Sequence, residues 1–217
     1  MQEKKLFIQK NFLQILVKTI DIHMNVRYNT ITKEKRGYSM AEFFPGSIIE
    51  KNKLSGREFL NGMFNGSKGL VMSQIRDFTG LNVTAIQNWI NRGWLSHPTA
   101  KKYNIDQVAR ILIINMLRRT MSLEDISKLL FYINGVAGDK RDDVINESEL
   151  YGYVCDMAFA ESDKNDLDGL VDEVTENFAE RRAGDTEKLK TTLKIIYFNT
   201  VAQKNISRAE TLLEGIK

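Results

Sequence analysis

The stretch TGLNVTAIQNWINRGWLSHP, residues 79–98, restricts the fold of this chain more than any other. Gly80 permits a tight backbone turn. Asn82 is placed to cap a helix over 83–92, because its side-chain oxygen can accept one of the N–H groups left orphaned at a helix start. Gly93 stands where a left-handed C-terminal cap is expected, and Pro98 follows shortly after. At about 100° per residue, Val83, Ile86, Trp89 and Ile90 share one face. Thr84, Asn88, Asn91 and Arg92 share the opposite face, with Gln87 at its edge. The apolar side has to be buried, and the polar side is left to meet something else.

The neighbouring segments supply that burial. Ser73 is expected to cap a short helix over 74–79 that buries Ile75 and Phe78. SHPTAKKY, residues 96–103, reads as a short loop or ribbon with two adjacent lysines. Asn104 and Gln107 form a capping-box pair at the start of a third helix, and its run VARILIINMLRR is apolar almost all round and should pack on two sides. Ser122 caps a fourth helix, LEDISKLLFYI, and residues 134–143 read as a linker.

Outside this region the pattern is helical too. Only 2 prolines occur in 217 residues, and no period-2 run is long enough for a sheet beyond a wing ribbon. Residues 3–24 form an amphipathic helix candidate with Leu6, Leu13, Leu16, Val17 and Ile20 on one stripe, and 25–40 a basic linker. Pro45-Gly46 marks a turn, and a short helix is expected over 57–63. Towards the end, apolar stripes run through Leu150–Met157, Leu167–Val174 and Leu189–Val201, and a Ser207…Glu210 capping box is expected to start a last helix. The expected fold is all-α, or mainly α with a minimal wing ribbon. Three units are expected: an N-terminal extension over 1–69, a helix-turn-helix domain over 70–134, and an acidic helical effector or assembly domain over 144–217.

Charge is distributed unevenly. Residues 1–70 carry 12 Lys/Arg against 6 Asp/Glu, residues 71–135 carry 8 against 4, and residues 136–217 carry 11 against 18. A basic front and an acidic back suit a nucleic-acid-binding part joined to a sensing or assembly part. Enzyme readings find no support. His23 and His97 have no motif around them, and Cys155 lies on an apolar stripe as a buried thiol. One cysteine rules out an intrachain disulfide and every multi-thiolate zinc site. The glycine-rich loop that follows the short helix expected over 57–63, up to Gly69, lacks the Gly-Lys-Ser/Thr order of a phosphate cradle. KNDLDGL, residues 164–170, fails as a calcium loop because Lys164 and Thr175 replace its first and last carboxylates. The 6–22 stretch is too polar to cross a bilayer. A cytoplasmic protein that is not an enzyme, with no cofactor, metal or membrane, is expected; any small-molecule effector is left open.

Residues 70–133 resemble the winged helix-turn-helix of MerR-type transcription regulators. TGLNVTAIQNWINRGWL is similar to that family's T-G-V-S-V-R-T-L-R-Y-Y-E-R-I-G-L-L segment, through Gly80, Val83 and Leu95, with Gly93 near the family's glycine and Ile86 and Trp89 similar in kind. YNIDQVARILII and MSLEDISKLL resemble its third and fourth helices. A nearer resemblance is to a bacterial domain-of-unknown-function family with a P-x-x-K-K-Y motif, carried by Asn88, Trp89, Gly93, Pro98, Lys101, Lys102 and Tyr103. The resemblance implies double-stranded DNA as the partner and a homodimer as the working form. The DNA-contacting residues are then Thr84, Gln87, Asn88, Asn91, Arg92, Lys101, Lys102, Tyr103 and Arg76, with Lys68 extending the contact. The departures are also clear. Amides and a hydroxyl replace the family's arginines and tyrosines on the second helix, the wing is shorter, and a long dimerisation helix is not evident after residue 133. A protein-interaction adaptor on the same scaffold, and an architectural or excisionase-like DNA-binding accessory protein, stand as alternatives.

Overall fold

The computed structural model describes residues 43–160 and 166–216. The 3–24 helix candidate, the 25–40 linker and His23 lie outside the described residues. In chain order the elements are α1 (Gly56–Phe64), β1 (Leu70–Val71), α2 (Met72–Thr79), α3 (Val83–Asn91), β2 (Lys102–Tyr103), α4 (Ile105–Leu117), α5 (Leu123–Asn134), α6 (Glu147–Phe159), α7 (Leu167–Thr175) and α8 (Asp185–Glu214). The protein is mainly helical, and β1 pairs antiparallel with β2 in its small sheet. No described helix is long and apolar enough to cross a membrane.

Local caps set most of these boundaries. Ser55 and Glu58 form a capping box that starts α1. Asn104 and Gln107 do the same for α4, and Ser122 caps α5 by accepting from the Asp125 N–H. Two expected caps are corrected. Ser73 does not start α2, because pairing of β1 with β2 fixes the chain as far as Val71 and the helix begins at Met72. The Val71 N–H donates to the Gln74 side chain instead, at 3.0 Å. Ser207 and Glu210 lie inside α8, which runs unbroken for 30 residues because no glycine or proline interrupts it. A long C-terminal helix is therefore present where none was evident from the sequence.

One cluster of buried side chains runs from Phe44 to Ile196, across the boundaries expected at 69–70 and 134–144. Helix α4 is its axis, with Val108, Ile111, Leu112 and Leu117 almost fully buried. It packs against α6, α8, α1, α2 and α5. Val144 and Ile145, just after the polar 134–143 stretch, are also core residues.

Polar staples reinforce the α4–α6 contact. Asp106 accepts from the Ser148 N–H at 3.2 Å and from its hydroxyl at 2.7 Å, and also pairs with Lys140. Burial would raise the Asp106 carboxyl, but hydrogen bonds from Lys140 and Ser148 outweigh it and hold the group below its ordinary value. One helical turn on, the Arg110 guanidinium donates to Glu147 at 2.8 Å.

The stretch Phe44-Pro45-Gly46 plugs the other side of α4. Phe44 stacks on Phe59 with ring centroids 3.8 Å apart, and the Tyr151 hydroxyl donates to the Pro45 carbonyl. Gly46 has φ +73°, and a Cβ there would lie 1.9 Å from the Leu112 carbonyl oxygen. Only glycine allows this approach. Asn115 completes the plug by donating to the carbonyls of Gly46 and Thr79.

Candidate nucleic-acid interface

Helices α2 and α3 meet through a short turn at 80–82. Gly80 takes φ +69° and returns its N–H to the Arg76 carbonyl, while Leu81 is buried beneath the turn. Asn82 accepts from the Ala85 N–H at 2.8 Å, so the cap expected from the sequence is formed. Ile86 and Trp89 sink into the core, and Val83 and Ile90 are half-buried. The face left outside carries Thr84, Gln87, Asn88 and Asn91, all exposed. All four side chains face away from the core that Ile86 and Trp89 enter.

The end of α3 is held from below. Gly93 adopts φ +73°, and the Trp94 and Leu95 N–H groups both donate to the Trp89 carbonyl. The buried Arg110 donates to the Trp94 carbonyl at 2.7 Å, and Gln107 donates to the carbonyls of Ser96 and His97 and to the Ser96 hydroxyl at 3.0 Å. Two polar residues of an otherwise apolar helix therefore fix the path out of α3. Nothing in the local pattern marks this role, because the two partners of each bond lie more than nine residues apart.

The ribbon follows. Thr99 and Lys102 exchange two backbone hydrogen bonds, at 3.1 and 2.9 Å, around a turn whose central residues Ala100 and Lys101 have φ +50° and +61°. These are the dihedrals of a hairpin turn usually made by asparagine and glycine. Here an alanine and a lysine adopt them, and Lys101 is displayed at the tip. Lys102 pairs with Val71 across the ribbon and is exposed. Gly69 lies against its stem, with room for no Cβ beyond 2.9 Å from the Lys102 Cβ.

The expected contact residues separate as follows. Thr84, Gln87, Asn88 and Asn91 share one exposed helix face, Lys101 and Lys102 share the ribbon, and Arg76 and Lys68 are exposed on α2 and just before β1. Arg92 is exposed but occupied: its guanidinium reaches Glu124 at 3.4 Å and lies 5.0 Å from the centre of the Trp94 ring. Tyr103 is corrected. It is only 3 % exposed and belongs to the core, and burial pushes its hydroxyl above the ordinary value. Neighbouring residues of a strand point to opposite faces, so an outward Lys102 requires an inward Tyr103.

No group of three or more described His, Cys, Asp or Glu residues is arranged to hold a metal ion. Cys155 is buried, and burial pushes its thiol up to about 12, the behaviour of a packing residue rather than a nucleophile.

Comparison with known proteins gives a family match for part of the chain. Residues 63–154 match the model of a domain of unknown function (DUF1836). The match begins at the end of α1 and finishes inside α6, so it takes in α2, α3, the ribbon and the α4–α6 contact that supports them. Over 117 residues the chain is 30% identical to the uncharacterized protein YkrK of Bacillus subtilis (strain 168). That alignment takes in 51% of this chain and 50% of the relative, so the chain spans about half the length of the curated relative it matches. No solved structure matches.

Proposed function

We propose that the protein is a DNA-binding transcription regulator that acts as a homodimer and grips duplex DNA through a MerR-like winged helix-turn-helix made of α2, α3 and the β1–β2 ribbon. The observation that carries this reading is the outer face of α3. It presents three amides and a hydroxyl, all exposed, on a helix capped at its start by Asn82 and tied just past its end to the buried Arg110 of α4. An amide can bond two atoms of an adenine edge in the major groove, and a threonine can meet a thymine methyl. In this reading Gln87, Asn88 and Asn91 read bases, with Thr84 at the leading end. Lys101, Lys102, Arg76 and Lys68 hold phosphates and set the register. Arg92 joins them by exchanging Glu124 for a phosphate, since an exposed ion pair of this kind contributes only about 0–1 kcal/mol.

The thin charge on α3, with its one arginine already paired to Glu124, favours a second reading in which the same scaffold binds a protein. Salt separates the two. Phosphate contacts release counterions, so affinity for duplex DNA falls by a log–log slope of roughly 0.9 per phosphate neutralised. The full chain is titrated with a fluorescent duplex between about 50 and 200 mM salt. The regulator reading expects a steep slope, reduced by about 2 in a Lys101→Ala/Lys102→Ala variant. A folded protein with no salt-sensitive binding would contradict it and favour the adaptor. A bending assay on the same duplex distinguishes a regulator from an architectural protein, which pays for its grip with DNA deformation.

A further inference from the structure

The start of α1, the end of α6 and the helix α7 line a cleft of about 410 Å³. Small-molecule sites fall in a range of about 300–1,000 Å³ and are mostly apolar, with a few converging polar groups. The wall here is apolar and firmly built. Gly56, Cys155 and Leu170 are buried, and Phe159 and Val174 are half-buried. A Cβ on Gly56 would lie 2.4 Å from the Cys155 Cβ, so α1 and α6 meet here with no slack.

Two unlike charges line the same cleft. The Lys51 ammonium donates to the Asn52 and Leu54 carbonyls at 2.6 and 2.7 Å. It also lies 4.8 Å from the centre of the Phe159 ring and 5.3 Å from that of Phe44. These contacts fix its place, and an ammonium has three N–H donors, so one remains for a further acceptor. No carboxylate forms an ion pair with Lys51 among the described residues. Asp156, also in the lining, is already neutralised by Arg57 at 2.8 Å. Glu173 is different. Its neighbours on α7, Asp168 and Asp172, are paired with Lys194 and Lys190, whereas the exposed Glu173 has no ion pair among the described residues.

The geometry points to a free α-amino acid with a branched aliphatic side chain as the ligand of this cleft. Its carboxylate accepts the third N–H of Lys51, its ammonium meets Glu173, and its side chain rests on Phe159, Leu170 and Val174. A simple anion would bring a like charge to Glu173, and a simple amine would bring one to Lys51; the zwitterion answers both. Binding in the cleft does not depend on DNA binding. Within the regulator reading the amino acid becomes the effector, held against α6, whose first residue Glu147 pairs with the Arg110 that holds the exit of α3.

Calorimetric titration of the full chain tests it. The probes are L-leucine, L-isoleucine and L-valine, with isovalerate lacking the amine and isoamylamine lacking the carboxylate. At least one of the amino acids binds at one site per chain, and both truncated probes are weaker than it by at least about tenfold. Glu173→Gln, at an exposed position, weakens that amino acid by at least about tenfold and does not weaken isovalerate. Lys51→Met weakens the amino acid as well and does not weaken isoamylamine; circular dichroism reports that each variant is folded, and Glu173→Gln carries the test alone if Lys51→Met is not. The proposal is overturned if none of the three amino acids binds at up to about 10 mM. It is also overturned if either truncated probe binds as tightly as the best amino acid, or if a folded variant binds that amino acid as the unmodified chain does. No DNA is present, so failure here leaves the outcome of the salt titration untouched.

Discussion

Glu147→Ala is expected to destabilise the protein by about 3–5 kcal/mol, although Glu147 lies far in sequence from the proposed interface. The Arg110 and Glu147 side chains are 5 % and 8 % exposed and meet at 2.8 Å. Removing the carboxylate leaves a guanidinium buried without its counter-charge, and that unpaired charge dominates the cost. Arg110→Met is damaging for the converse reason, and it also strips the Trp94 carbonyl of its donor, which adds about 1–3 kcal/mol. A double variant, Arg110→Met/Glu147→Leu, removes both charges together and should lose less than the sum of the single changes, with a coupling of at least about 2 kcal/mol. Urea unfolding followed by tryptophan fluorescence is well suited to the measurement. The two tryptophans of the chain are Trp89 and Trp94, both at the end of α3 where Arg110 acts. A loss below about 1 kcal/mol for Glu147→Ala, or additive single changes, would refute the claim that this pair ties α3 to the acidic half of the molecule.

Three further outcomes follow from the same geometry. Ala100→Gly should stabilise the protein by about 1 kcal/mol in thermal unfolding, because it relieves a left-handed alanine in the ribbon turn. Gly46→Ala should cost more than about 3 kcal/mol, or prevent folding, since the new Cβ overlaps the Leu112 carbonyl at 1.9 Å; urea midpoints compare it with the unmodified chain. Asp143 is raised to about 6, first by burial and then by Glu147 and Asp142. Its folded-state value lies above its unfolded one, so the folded protein binds the extra proton and stability falls as pH rises from about 4 to 6. Asp143→Asn should flatten that part of the stability–pH curve and raise stability at pH 7.5 by about 1 kcal/mol in urea titrations.

The parts of the fold legible in the sequence are those decided locally. Asn82, Asn104, Ser122, Gly80 and Gly93 act within one helical turn of where they stand, and each is found in its expected role. The errors arise where distant pairing intervenes. Ser73 is a reasonable cap in isolation, but the strand pair at 70–71 and 102–103 moves the start of α2 back to Met72. The serine–glutamate spacing at 207–210 imitates a cap, yet nothing between 185 and 214 breaks the helix. The polar 134–143 stretch is flanked by packed residues: Val144 and Ile145 are buried, and Arg110 and Asp106 of α4 bond Glu147 and Ser148 of α6.

The candidate interface divides in the same way. The polar face of α3 follows from helical periodicity. The inward turn of Tyr103 needed only the alternation of a strand, a signal present once Lys102 was assigned outward. The ribbon turn could not be read, because neither Ala100 nor Lys101 is a residue that advertises a left-handed backbone.

The central claim is that the outer face of α3 selects DNA sequence. Its most direct test is capture of genomic fragments by the full chain, followed by sequencing, with an Asn88→Ala/Lys101→Ala/Lys102→Ala variant in parallel. A shared short motif should be enriched by the unmodified protein and lost by the variant, with the variant's core unfolding unchanged. No enriched motif, or the same motif recovered by the variant, would contradict the claim.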